Sequence, residues 1–324
     1  MRVLITGAAG FVGSNLTKKL LDNNYSIIAI DNLSQGSKKN IEPFLNNKNF
    51  EFHQADVRDF DSIKKIAKNI TGIIHLAAFK IPRYGNAMDT LLINSKGTEN
   101  ILEIAKDIKN CKVLFSSTSD VYGKNPNVPF AEDAPLVVGE TNIKRWSYAV
   151  SKIFDEHLCY AYIEKYNIPI TIVRYFGGYG PNQNTTWWGG PQSVFINAIL
   201  NNKPIEVHGD GSQTRGFTYI DDMINGTFLA FENEKANGEV FNIGNENEIT
   251  ILNLAKLIWK ISGKRGDAPI KLIPYENFGK YEDVKRRVAN INKAKKVLGY
   301  EPKVGLEEGL RITYSWQKGL MAHE

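Results

Sequence analysis

The 324 residues predict an α/β protein: a doubly wound parallel sheet followed by a smaller α/β lobe. Three observations carry this. The first half alternates short β-branched runs with longer amphipathic stretches, a glycine-rich turn follows the first run, and the patterning loosens after Arg174. Residues 2–6 read as the first strand and 11–21 as the helix after it. Strands follow at 26–30, 50–54, 72–76, 112–116 and 169–174, with periodic stretches at 88–105 and 147–166 long enough for helices. Helical crossovers between parallel strands are right-handed and cover both sheet faces. The Gly177-Gly178-Tyr179-Gly180-Pro181 and Trp187-Trp188-Gly189-Gly190-Pro191 runs mark a boundary. Residues 1–176 form the sheet domain and 177–324 the second lobe, with parts of 214–246 able to return to the first. The second lobe mixes helices at 191–201, 250–262 and 305–317 with strands at 205–208, 239–243 and 270–273.

Composition excludes several classes. With 42% hydrophobic and 23% charged residues the chain buries a sizeable core and is not disordered. A net charge of +5, scattered along the chain, hints at anionic ligands but is no nucleic-acid footprint. No apolar run reaches the roughly 20 residues a membrane span needs, and Met1-Arg2-Val3 runs into a strand without a signal peptide, so a cytoplasmic protein is expected. Cys111 and Cys159 are too few for a disulfide framework or a structural zinc site, and no metal is expected.

Strand Val3-Leu4-Ile5 leads into Thr6-Gly7-Ala8-Ala9-Gly10-Phe11-Val12-Gly13, a GxxGxxG spacing that opens a helix. The glycines permit a tight turn and close approach of a pyrophosphate, and the helix N-terminus supplies N–H groups and partial positive charge. Asp31 ends the second strand, where an acid accepts hydrogen bonds from ribose hydroxyls and repels a 2′-phosphate; a Rossmann-type site for NAD rather than NADP follows. Asp56-Val57 follows the third strand, where Asp56 reads equally as an adenine contact or a helix cap.

Tyr148-Ala149-Val150-Ser151-Lys152 puts a phenol and an ammonium on one helical face. Tyr281 with Lys285 and Tyr314 with Lys318 repeat the spacing, so context must separate them. Tyr314 belongs to the C-terminal helix, and Tyr281 lies in a charged segment that reads as solvated surface or a phosphate clamp. Tyr148 lies between the fifth and sixth strands, and the fifth ends in Ser116-Ser117-Thr118-Ser119-Asp120, at the ligand-facing edge of the sheet. A hydroxyl, a phenol and a lysine beside a nicotinamide form a hydride-transfer apparatus, in which the positive charges lower the phenol pKa.

These motifs, with Asp31-Asn32-Leu33-Ser34, His75-Leu76-Ala77-Ala78, Asn94, Gly97-Thr98, Arg174-Tyr175-Phe176, Gly209-Asp210-Gly211, Arg215 and Asn242-Ile243-Gly244, span nearly the whole chain. Together they resemble the extended short-chain dehydrogenase/reductase family, in particular its nucleotide-sugar epimerases, dehydratases and decarboxylases. The resemblance implies Tyr148 as general base, Lys152 as its electrostatic partner and nicotinamide-ribose ligand, Thr118 as the hydroxyl on the reacting oxygen, and Asp120 beside them. It implies an NAD site of Gly7, Gly10, Phe11, Val12, Gly13, Asp31, Asn32, Asp56, Val57, Leu76, Ala77, Ala78, Asn94, Tyr148 and Lys152. A nucleotide-diphosphate sugar would meet Lys80, Ser119, Arg215 and Arg287, the arginines suiting phosphate through their planar fork. It also implies a homodimer through 88–106 and 147–166.

The family's shared first step oxidises sugar carbon 4, after which its branches diverge. Dehydratases carry Asp-Glu after the hydroxyl residue and uronic acid decarboxylases Ser-Glu; this chain has Ser119-Asp120. One carboxylate serves poorly as both acid and base, which disfavours dehydration, and the shortened acid ranks decarboxylation second, although Lys144-Arg145-Trp146-Ser147-Tyr148 resembles some decarboxylases. The expectation is an NAD-dependent UDP-sugar 4-epimerase, with a uronic acid decarboxylase or dehydratase as alternative and a noncatalytic NAD-binding sensor as the remote one. Gly177 replaces a usual Asn and would open space for a different sugar, while Trp187 and Trp188 read as buried packing rather than ligand stacking.

Overall fold

The computed structural model describes residues 1–80 and 86–321. Seven parallel strands form the central sheet: β1 (Arg2–Thr6), β2 (Ser26–Asp31), β3 (Phe50–Gln54), β4 (Gly72–His75), β5 (Lys112–Thr118), β6 (Ile170–Tyr175) and the outermost Val240–Ile243. In space they run Val240–Ile243, β6, β5, β4, β1, β2, β3. The chain reverses direction across the sheet between β1 and β4, and in such sheets the crevice outside the strand ends at that point is where ligands bind.

Alternate side chains of each strand enter separate cores. Val3 and Ile5, Ile27 and Ala29, Ile74, Leu114 and Val173 face one; Leu4, Ile28 and Ile30, Ile73, Val113 and Phe115, Ile170 and Ile172 face the other. Burial on both faces is why these runs are continuously apolar rather than alternating. The helices between them are α1 (Phe11–Asp22), α2 (Phe60–Ile66), α3 (Ala87–Lys106) and α4 (Trp146–Tyr166). The Asn86 side chain caps α3 by accepting from the Met88 N–H, and α4 stops at Asn167, which takes up the left-handed conformation at φ 54°.

The chain after β6 contains α5 (Pro191–Leu200), α7 (Ile251–Ile261), α8 (Asn292–Leu298) and α9 (Leu306–Met321), with Ile205–His208 paired in parallel to Ile270–Ile273. Val240–Ile243, a strand within the 214–246 stretch expected to be able to return to the first domain, pairs with β6 in the central sheet rather than within the second half. The helix α6 (Ile220–Glu232), absent from the sequence reading, packs against α1. Its amphipathic period is as marked as that of α1, so the sequence held a local signal for it. A further small sheet aligns Thr214–Gly216 with Glu248–Thr250 and Arg286–Arg287, making Arg215 and Arg287 direct neighbours in register.

Candidate active site

A cavity of about 1140 Å³ lies beyond the carboxyl ends of the strands, lined from both halves of the chain. One wall is the glycine loop. Gly7 sits at φ +70°, and a Cβ there would lie 2.8 Å from the Ala77 nitrogen; a Cβ on Gly13 would lie 2.1 Å from the Gly7 carbonyl oxygen. Both contacts are with backbone, so side chains at these positions would push the loop off β4 and α1. Gly10 caps α1, and Phe11 and Val12 open it facing the cavity. Asp31, Asn32, Val57, Leu76, Ala77 and Ala78 complete this end. The Asp31 carboxylate accepts from the Ala9 and Leu33 N–H groups at 3.0 and 2.8 Å, which aims it at the glycine loop. Burial raises its pKa, and those two bonds act against the rise.

Two expected cofactor contacts lie elsewhere. Asp56 does not line the cavity: Arg58 grips both its oxygens and Asn32 donates to one, so its carboxyl is held far below the usual range, and Asp59 caps α2 instead. Asn94 is buried away from the cavity, where its oxygen accepts from the Phe79 N–H and its amide donates to the Phe79 carbonyl and the Ser151 hydroxyl. It ties the β4 exit to α4 rather than touching a ligand.

At the end of β5, Thr118, Ser119 and Asp120 face the cavity with Tyr148, and Thr118 hydrogen-bonds the phenol. Lys152 stands behind this wall: it is 1% exposed and donates to the Ser116 carbonyl at 2.9 Å. The expected lowering of the phenol pKa rests on Lys152 together with a cofactor's positive ring; burial and the chain's acids act the opposite way. Burial raises the Tyr148 pKa, the Asp120 and Asp155 charges add to the rise, and Thr118 and Arg287 offset only part of it. At the end of β4, His75 shares a 2.6 Å hydrogen bond with Thr6, and burial together with the Lys152 charge lowers its pKa to about 3.

The other end of the cavity is a lattice of charges. Arg287 and Arg145 both donate to Asp120, and Arg145 and Arg215 both donate to Asp283, at 2.8 and 3.0 Å. Burial pushes the Asp120 carboxyl up, but Arg287, Arg145 and Arg215 outweigh it and hold the group below its usual range. Burial among these cations lowers Arg215 to about 10. Arg145 and Asp283 were missed in the sequence; the one available signal was the position of Arg145 a helical turn before Tyr148. Tyr281 is cavity wall rather than solvated surface, its hydroxyl accepting from Arg145 at 2.7 Å. Lys80 also faces this space.

Gly177 lines the cavity, and its backbone requires glycine: at φ +49°, a Cβ would lie 2.3 Å from the Gly216 carbonyl oxygen. Trp187 and Trp188 are half-buried and line the cavity, Trp187 stacked on His208 at 4.3 Å and Trp188 edge-on to Phe79 at 5.1 Å. Among the described residues, no group of His, Cys, Asp and Glu could hold a metal ion, and no helix is long and apolar enough to cross a membrane.

The dinucleotide loop and the Thr118, Tyr148 and Lys152 constellation define a short-chain dehydrogenase/reductase type of enzyme. Comparison with known proteins narrows this. The family model described as GDP-mannose 4,6 dehydratase matches residues 4–313. A UDP-N-acetyl-alpha-D-glucosaminuronate decarboxylase of Bacillus cytotoxicus is 35% identical over 319 residues, covering 97% of each chain. A UDP-glucuronate 4-epimerase of Thermodesulfobacterium geofontis is 35% identical over 329 residues, covering 97% of this chain and 95% of that one. The crystal structure of the UDP-glucuronic acid 4-epimerase of Bacillus cereus, in complex with UDP-glucuronic acid and NAD, superposes with a TM-score of 0.89 at 36% identity, covering 99% of this chain and 100% of that one. The chain belongs to the extended short-chain dehydrogenase/reductase family of NAD-dependent nucleotide-sugar epimerases and dehydratases.

Proposed function

We propose that the protein is an NAD-dependent UDP-sugar 4-epimerase. NAD fits the cavity wall that Gly7, Gly10, Gly13 and Asp31 build, the glycines leaving no Cβ between backbone and pyrophosphate and Asp31 facing the ribose. When bound, NAD supplies the hydride acceptor and donor for sugar carbon 4 and a positive ring beside the phenol. Tyr148 removes the proton of the carbon 4 hydroxyl, Thr118 orients that oxygen, and Lys152 supports the phenolate from behind. Arg215 and Arg287 hold the diphosphate. With Arg145 they bring three guanidinium charges against the two carboxylates of Asp120 and Asp283, leaving net positive charge for an anion. The cavity volume supports a sugar turning over beside the cofactor before the hydride returns to its other face.

One observation carries epimerisation over dehydration: the Asp120 carboxylate is engaged by Arg287 and Arg145, so no disengaged carboxylate faces the cavity beside Thr118 and Tyr148 among the described residues. Decarboxylation is the second reading, favoured by those same guanidiniums, which suit a sugar carboxylate, and by the similarity to the Bacillus cytotoxicus decarboxylase. Loss of carbon dioxide from a 4-keto uronate needs no added base, because the keto group takes the electron pair. We further propose a homodimer through α3 and α4, whose exposed Met88, Leu92 and Phe154 form an apolar face.

The test is turnover of UDP-glucuronic acid with NAD in heavy water, followed by mass spectrometry. An epimer carrying no deuterium on carbon is expected. Deuterium at carbon 5 overturns epimerisation, and accompanying loss of carbon dioxide establishes the decarboxylase in its place.

A further inference from the structure

Three residues beyond Lys152 on α4, Asp155 is 0% exposed, and neither of its carboxylate oxygens has a hydrogen-bond partner at normal distance among the described residues. A buried carboxylate without donors costs stability and returns nothing to the fold. Lys152 presents the complementary difficulty. Its ammonium is buried over the Phe115 ring, with the Ser116 carbonyl as its hydrogen-bond acceptor, and an ammonium so placed sheds its proton unless negative charge stands nearby. Positions three apart on a helix share a face, so the two groups are neighbours. The adjacent acid, Glu156, is committed elsewhere: both its oxygens grip Arg174 and one also accepts from the Ser117 hydroxyl.

We propose that Asp155 is a positioning residue whose carboxylate is the counter-charge that keeps Lys152 an ammonium behind Tyr148. This rests on the reading of Tyr148 as the base that Lys152 supports. The groups around the pair fit the assignment. Tyr148, Glu156 and Cys159 face it from α4 itself, the Thr98 hydroxyl faces it from α3, and Thr98 in turn reaches Nε2 of His75 on β4 at 3.4 Å. His75 is neutral, so Lys152 is the buried cation that opposes the rise in the Asp155 pKa, and the Thr98 hydroxyl acts in the same direction to a lesser extent. Burial brings that carboxyl to about 6, and Asp155 is the foremost group countering the fall that burial imposes on Lys152.

The experiment follows the side-chain nitrogen of Lys152 by nuclear magnetic resonance in the full chain, with the signal assigned by its loss in Lys152→Arg. In Asp155→Asn the Lys152 titration is expected to fall by more than about one pH unit, and in Asp155→Glu to return toward wild type. An unmoved titration in Asp155→Asn overturns the proposal. Should that variant fail to fold, the wild-type carboxyl carbon of Asp155 decides: titration at or below about 6 leaves a carboxylate at neutral pH and supports the pairing, and a carboxyl that stays protonated above neutral pH overturns it. Turnover of UDP-glucuronic acid with NAD is read on the same samples. A shifted Lys152 in a chain without turnover supports the pairing while removing the functional reading; turnover with an unmoved Lys152 removes the pairing alone.

Discussion

The two ends of the cavity are built by opposite means. The cofactor end consists of backbone and small apolar residues at the tips of β1 to β4, where Gly7, Gly13 and Ala77 meet at distances no side chain survives. Its acid, Asp31, is already held by two backbone N–H groups. The sugar-phosphate end consists of side-chain charges from distant segments, Asp120, Arg145, Arg215, Asp283 and Arg287, each neutralising another. The first selects by shape, and a ligand changes it little. The second is an anion site in which carboxylates occupy the guanidiniums until a stronger anion arrives, so affinity there is a difference between two sets of ion pairs.

Tyr148, where the two ends meet, gives the largest expected effect. Tyr148→Phe should cut turnover about a hundredfold or more, the usual scale for a lost general base, while calorimetry finds NAD affinity unchanged. A near wild-type rate would remove Tyr148 from the chemistry.

Next comes Arg287→Ala, which removes one fork from the charged end. UDP-glucuronic acid should bind roughly tenfold to a hundredfold more weakly, the scale of a charge-assisted hydrogen bond, with NAD affinity unchanged. An equal loss for both ligands in titration calorimetry would show that the two ends are not independent.

Acid should separate the ends by stability. His75 titrates at about 3 in the fold against 6.5 for an unperturbed histidine, so the unfolded chain binds its proton first. Its contribution to stability is complete above 6.5 and is lost as the pH falls from there toward 3. Asp120 and Asp283 have depressed values, so their contribution is complete above about 4 and disappears below that, as the pH falls through their folded values. Melting temperatures of His75→Gln should therefore fall less steeply than wild type from about pH 6.5 down to about 3, and run parallel to it only below that. Parallel curves throughout would count against His75 as the titrating group. The smallest effect belongs to Asp56→Ala, where NAD affinity should stay within about twofold, because that carboxylate is engaged by Arg58 rather than exposed to the cavity.

Much of the fold was legible because its signals are local. The six sheet strands of the first half and helices α1, α3 and α4 emerge within a residue or two of their predicted bounds, since β-branched runs and helical periods act over neighbouring positions. The sequence left open whether parts of 214–246 return to the sheet, because the pairing of Val240–Ile243 with β6 depends on packing that no short window contains, whereas α6 was missed although its amphipathic period is local. Within the site, all the expected residues line the cavity except Asp56, Asn94 and Lys152.

The sequence alone determined the glycine loop, the acid at the end of β2, and the hydroxyl and phenol that meet at the end of β5, because strand-to-helix turns place those residues by spacing. Tertiary structure decided where charge goes. Helical spacing put Lys152 on the face of Tyr148, yet its ammonium turned to the Ser116 carbonyl, and Asp120 was captured by two arginines from segments 25 and 167 residues away. Ion pairing is set by which distant segments the fold brings within a few ångströms and by how much water it removes from them, and neither quantity is written in local sequence.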